Sequence, residues 1–313
     1  MKSFYYLAIA LFLCTSCNSG SASKEKATTE EKVQDTPKKF TLPEIPTMYT
    51  TPEQRADFLV KHYWDNFDFT DTNYIHKPEI TEQAYVDFLD VANHSPMESA
   101  FDGMTRLISK AEDNKKVFDY FISLSDKYLY NPNSPFRSEE LYIRVLEKMV
   151  ETNLLDDTEK TRPRYRLQLA QKNRLGTKAL NFTYTLQSGK QGTLYGLNTE
   201  YILLYINNPG CHACGEITEG MKHSQIIEYL LSRKRLTILC VYPDEELDEW
   251  EKHRSDFPSD WINGYDKGTV MRDKDLYDLK AIPSLYLLDK DKNVLLKDAT
   301  FTQLEQYLSN NLQ

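Results

Sequence analysis

The chain has 313 residues, 40% of them hydrophobic and 27% charged, a soluble balance that leaves no room for several membrane spans. That length allows two ordinary domains, and 21 tyrosines with 14 phenylalanines supply bulk for their cores. A formal charge of −9 excludes the basic footprint of a phosphate binder, so nucleic acid is not an expected partner.

At the start of the chain, Lys2 precedes an apolar run from Phe4 to Leu13, followed by Cys14-Thr15-Ser16-Cys17. A charged start, a short apolar region and small residues at its end form the pattern of a secretory signal. The run is shorter than the roughly 20 apolar residues a spanning helix needs. Its ending resembles a bacterial lipobox, which implies that Cys17 becomes a lipidated mature N-terminus; the plain alternative is an ordinary cleaved signal. Residues 18–45 follow as an expected disordered tether. As far as about Lys39 they are rich in Ser, Thr, Lys and Glu and almost free of large apolar side chains. The expected location is therefore the cell envelope, periplasmic or outer-membrane, with the membrane contacted through the lipid.

Residues 46–176 read as an all-helical domain. Thr51-Pro52-Glu53-Gln54 supplies an N-cap, a first-turn proline and a capping-box partner. Behind it Ala56, Leu59, Val60, Tyr63, Trp64 and Phe67 recur at helical spacing. Further helices are predicted over 81–93, 96–110, 115–129, from Ser138 through Val150, and over 163–172. His62, His76 and His94 lack metal-ligand spacing. Trp64-Asp65-Asn66-Phe67-Asp68-Phe69 mixes aromatics with acids in the manner of a binding edge, but reads better as a helix end packing its rings.

Residues 177–313 change period. Strands are predicted over 181–186, 201–207 and 236–242, the last two as apolar runs buried on both faces. A helix follows over 245–253, a short helix near Asp275, a hairpin joining 284–288 to 293–297, and a last helix from about Thr302. The 201–207 strand breaks at Asn208-Pro209-Gly210, and Cys211-His212-Ala213-Cys214 opens the next helix. A cysteine there faces unpaired N–H groups and the positive end of the helix dipole, which favour thiolate. Cys211 is then the expected nucleophile and Cys214, one turn deeper, the resolving thiol. Half of a zinc site has the same spacing; its missing second pair favours redox chemistry, with no metal. Cys240 reads as a small buried hydrophobe.

Strand, redox loop, helix, strand, helix, hairpin, helix is a thioredoxin-like order, and residues 181–313 resemble the TlpA-like branch of the thioredoxin superfamily. The long span from Cys211 to Ile282-Pro283-Ser284 looks like that branch's inserted helix and strand. The resemblance implies a cis-proline at Pro283, with the Ile282 backbone offered to a substrate strand. His212, directly after the nucleophile, reads either as a support for the thiolate when charged or as an exposed spacer. It also meets three departures: Gly210 where Trp is usual, Tyr205 where a buried acid is frequent, and Ile217 where a glutamate is common, with Glu216 one residue early. The helical domain is similar to a domain of unknown function in Bacteroidetes lipoproteins, carried by residues 64–69 and Arg162-Pro163-Arg164-Tyr165. The fold expected is an all-α domain followed by an α/β thioredoxin-like domain with a central mixed sheet. The function expected is a membrane-anchored thiol–disulfide oxidoreductase acting on protein thiols of the envelope as a reductase, with the Cys211–Cys214 disulfide in place of any cofactor. Oxidant or isomerase activity, and a redox-inactive binding module on the same fold, stay open as alternatives.

Overall fold

The structure is a computed structural model describing residues 40–312. The predicted signal, most of the predicted tether and Cys17 lie outside the described residues. Among those described, no helix is long and apolar enough to cross a membrane.

Six helices come first: α1 (Pro52–His62), α2 (Thr81–Asn93), α3 (Met97–Ala111), α4 (Lys115–Ser125), α5 (Glu139–Glu151) and α6 (Thr161–Ala170). The capping box forms as predicted, with Thr51 Oγ1 accepting from the Gln54 N–H at 3.2 Å and Gln54 Oε1 accepting from the Thr51 N–H at 3.4 Å. The apolar stripe continues to Phe67, but α1 stops at His62 and the chain turns. Turning brings Trp64, Phe67 and Phe69 into one aromatic cluster with Phe121, where Trp64 and Phe121 meet edge-on at 5.2 Å. The two acids within that stretch, Asp65 and Asp68, are exposed, and Asp65 bonds His62 at 2.7 Å, Lys110 at 2.9 Å and Arg106 at 3.1 Å. The stretch is core, not a binding edge. The predicted 115–129 helix also ends early, in a π-turn over Asp126–Tyr130 that still buries Leu129. That turn leaves Asp126 accepting from the Tyr142 hydroxyl and from Arg166.

The second part is a seven-stranded mixed sheet. Its strands are β1 (Thr183–Leu186), β2 (Gln191–Thr193), β3 (Tyr201–Ile206), β4 (Leu236–Tyr242), β5 (Ile262–Tyr265), β6 (Ser284–Asp289) and β7 (Val294–Leu296). They lie in the order β2-β1-β5-β4-β3-β6-β7, with β3, β4 and β5 parallel and the other pairs antiparallel. The helices are α7 (His212–His223), α8 (Gln225–Ser232), α9 (Leu247–His253), α10 (Val270–Asp273) and α11 (Phe301–Asn310). Period-two alternation divides the buried strands between two cores. Leu203, Tyr205, Ile238 and Cys240 face α7, α8 and α11, while Ile202, Leu204, Leu239 and Val241 face Phe182, Met271 and Tyr277.

The long span between the redox pair and Pro283 holds α9 and β5, the extra helix and strand that its length implies. β5 itself escapes a sequence reading, because Ile262-Asn263-Gly264-Tyr265 has little strand propensity. Packing explains the glycine: a Cβ on Gly264 would stand 3.0 Å from the Thr185 carbonyl oxygen and 3.2 Å from the Tyr184 ring. Residues 40–312 belong to one compact unit. Its helical part meets the sheet part through charged contacts, among them Lys297 to Glu139 at 2.5 Å and Arg137 to Asp298 at 2.6 Å.

Candidate redox site

β3 is a run of wholly buried side chains from Ile202 to Ile206, held between β4 and β6. The ladder runs one residue further, since the Asn207 N–H donates to the Val241 carbonyl at 3.1 Å. Asn208, Pro209 and Gly210 then turn the chain, with the Cys211 N–H donating to the Asn208 carbonyl at 3.3 Å. Gly210 has φ +78°, a left-handed value that favours glycine. Cys211 is the N-cap of α7, and its carbonyl accepts the Gly215 N–H at 3.0 Å.

The two sulfurs sit in different surroundings. Cys211 is half-buried and Cys214 is 4% exposed; both are free thiols. Burial pushes the Cys214 thiol up to about 12, assisted by the neighbouring Cys211 and opposed by hydrogen bonding to the Asn208 backbone and to Tyr205. Cys214 is therefore a thiol, not a thiolate, at neutral pH. Cys240 lies wholly buried in β4, and burial raises its thiol well above the ordinary value, as suits an inert core residue.

The positions where the TlpA-like resemblance leads one to look for an acid hold none that reaches Cys214. Tyr205 is fully buried; its hydroxyl donates to the Cys214 carbonyl at 2.7 Å and lies 3.3 Å from Thr218 Oγ1. Burial raises its pKa, so it keeps its proton and cannot act as a base. Ile217 packs against the core. Glu216 and His212 stand 3.6 Å apart on the exposed side of α7, with His212 90% exposed. A Tyr205→Phe substitution is expected to lower unfolding free energy by about 1–2 kcal/mol, by leaving buried polar partners unsatisfied. Denaturant unfolding measures it, and an unchanged midpoint would mean that the hydroxyl contributes nothing net.

Ser284 at the start of β6 pairs with Ile206 at the end of β3, so Ile282 and Pro283 lie beside the redox loop. The Ile282–Pro283 bond is cis, and Ile282 and Cys211 both pack against the cluster that contains Cys214. A cavity of about 380 Å³ opens at this point, with Asn208, Cys211, Cys214, Thr218, His253 and Phe257 in its wall. His212, Ile282 and Pro283 are not part of that wall. A larger cavity of about 880 Å³ between α8 and α11 contains no cysteine. A sequence reading misses His253 and its partner Asp256, which look like the end of a charged surface helix. The signal it could use is a His-x-x-Asp spacing inside the insertion that separates the two halves of the site.

A Cys-x-x-Cys at the head of the helix after β3, beside a cis X–Pro bond in a mixed sheet, defines a thioredoxin-like protein. Residues 198–294 match a thioredoxin-like family. Residues 16–173 match the domain of unknown function DUF5106, and the chain belongs to that family. It is similar to a thioredoxin-like protein from Bacteroides caccae, 60% identical over 87% of this chain and 99% of that one, with a TM-score of 0.85. The C-terminal domain of an uncharacterized protein from Bacteroides fragilis is 65% identical over 44% of this chain and 98% of its own, with a TM-score of 0.43. The thioredoxin domain of a thiol-disulfide oxidoreductase from Bacteroides vulgatus is 19% identical over 43% of this chain and 98% of its own, with a TM-score of 0.38. No curated protein matches the chain.

Proposed function

We propose that this chain is a thiol–disulfide oxidoreductase of the cell envelope, tethered to a membrane through a lipid on Cys17. It acts as a reductase, passing electrons from the Cys211/Cys214 dithiol to protein disulfides without any further cofactor. The observation that carries this reading is the unequal setting of the sulfurs, Cys211 half-exposed at the N-cap of α7 and Cys214 buried behind it.

Cys211, as thiolate, attacks one sulfur of a substrate disulfide, forms a mixed disulfide and releases the first substrate thiolate. Cys214 then loses its proton and attacks the Cys211 sulfur. The second substrate thiolate leaves, and the protein holds a Cys211–Cys214 disulfide. Two electrons have passed to the substrate, and a dithiol donor of the envelope returns the protein to its reduced form. The high pKa of Cys214 suits this order, because the resolving group stays protonated until a mixed disulfide exists. Cys211 is itself one cause of that high value, and its charge vanishes on forming the mixed disulfide, which eases loss of the Cys214 proton. The Ile282 backbone, beside the loop, is the proposed contact for an extended substrate segment.

Titration of residues 40–313 in glutathione buffers, with thiols counted by alkylation, tests the proposal. A reversible two-electron transition is expected, lost in both Cys211→Ser and Cys214→Ser, with a midpoint on the reducing side of the glutathione pool. A midpoint on the oxidising side would make the protein an oxidant or isomerase. Absence of any transition would leave a binding module on a thioredoxin fold.

A further inference from the structure

The exchange cycle needs a group to take the proton of Cys214, and Tyr205, Ile217 and Glu216 do not supply one. We infer that His253, held by Asp256, is that proton acceptor; the inference rests on the exchange function proposed above. His253 ends α9, in the insertion, and its imidazole forms part of the same cavity wall as Cys211 and Cys214. Its Nδ1 lies 2.9 Å from Asp256 Oδ2. A carboxylate in that position favours the tautomer with hydrogen on Nδ1, leaving the Nε2 lone pair free to accept a proton.

Nε2 faces the redox loop. A Cβ built on Gly210, the residue before Cys211, would meet it at 3.8 Å. Glycine at 210 answers to the left-handed φ of the turn, and the imidazole beside it does the work of the absent carboxylate. Its other charged neighbours are Glu249 on α9, whose Oε2 is 3.8 Å from Nε2, and the Glu219–Lys222 pair of α7, which belongs to the same cavity wall.

In the resolving step the Cys214 proton crosses the cavity, through water, to His253 Nε2. The Cys214 thiolate forms the bond to the Cys211 sulfur, and the bond between that sulfur and the substrate breaks. The departing substrate thiolate collects the proton from the imidazolium. His253 ends the step neutral, and the net transfer is one proton from Cys214 to the substrate thiol.

The test isolates that step. The full chain is reduced and converted to a mixed disulfide between Cys211 and thionitrobenzoate, and release of the coloured thiolate is followed from pH 5.5 to 9.5. The wild-type rate is expected to pass through an inflection within this pH range, as a general base acting in the step requires. His253→Gln is expected to lose the inflection and to release the probe about 100-fold more slowly at pH 7. The deficit should close towards pH 9.5, where hydroxide can deprotonate Cys214. Asp256→Asn is expected to slow release at pH 7 at least several-fold, and it carries the test if His253→Gln does not fold. A folded His253→Gln with the wild-type rate and pH profile would overturn the assignment while leaving the exchange function standing; so would an unchanged Asp256→Asn where His253→Gln is unfolded. Wild-type protein that never releases the probe would instead overturn the exchange function and the inference with it.

Discussion

Cys214→Ser is expected to stop the cycle at a covalent complex between the protein and its substrate. Cys211 keeps its place at the N-cap of α7, half-exposed, so the first attack proceeds. The second cannot, because a serine hydroxyl is a far weaker nucleophile towards a disulfide sulfur than a thiolate. Turnover should fall by about 10³-fold or more, as when a group essential to a covalent mechanism is removed. The stalled species carries substrate on Cys211 and would be seen as a higher-mass band on non-reducing gels, collapsed by dithiothreitol. Cys211→Ser should trap nothing, since the remaining thiol is buried and its pKa is raised. Equal trapping by both single variants would mean that the two sulfurs are interchangeable, and the division of roles would fall.

That division is legible in the amino-acid sequence, because it depends on short-range chemistry. A strand break, two cysteines and a helix start are adjacent along the chain, and the helix dipole acts within one turn. The same holds for the Thr51–Gln54 capping box and for β3 and β4, whose largely apolar runs belong to strands covered on both faces. Legibility fails where tertiary packing decides. β5 looks like a loop because Gly264 is chosen for its approach to Thr185, not for strand propensity. α1 looks about one and a half turns longer because Trp64 and Phe67 continue its periodicity, yet they reach their ring partners by turning. His253 escapes notice because nothing local says that α9 returns its end to the redox loop.

The junction between the helices and the sheet is equally invisible in the sequence, and the largest expected stability effect lies there. Lys297 has a side chain only 6% exposed, and its Nζ donates to Glu139 at 2.5 Å, to the Lys172 carbonyl at 2.7 Å and to the Ala170 carbonyl at 3.2 Å. These partners are more than a hundred residues away along the chain, so no pattern announces them. Glu139, Asp278 and Asp298 bring their carboxylates within 4.8 Å of one another. Lys280, Lys297 and Arg137 pair with them, so the cluster carries three positive charges against three negative ones.

Lys297→Met keeps much of the side-chain volume and removes the charge. Glu139 would retain only Lys280, 3.8 Å away, while two carbonyls at the end of α6 would lose a donor. Breaking a buried pair from one side costs about 3–5 kcal/mol, because the remaining charge stays desolvated. The unfolding free energy at pH 7.5 is expected to fall by about that amount, read from urea melts. pH dependence supplies a second check. Burial raises Glu139 above its ordinary 4.5, with Lys297 and Lys280 opposing the rise. For an acid whose folded pKa is raised, the favourable contribution is fully present below the unfolded value and is lost as pH climbs through the folded one. Removing Lys297 raises the folded value further and widens that window. The difference between variant and wild type should therefore be small near pH 4.5 and grow through the higher folded value towards pH 7.5. A loss below about 1 kcal/mol at pH 7.5, within the range of exposed pairs, would mean that water reaches the junction and that its charges do not join the helices to the sheet.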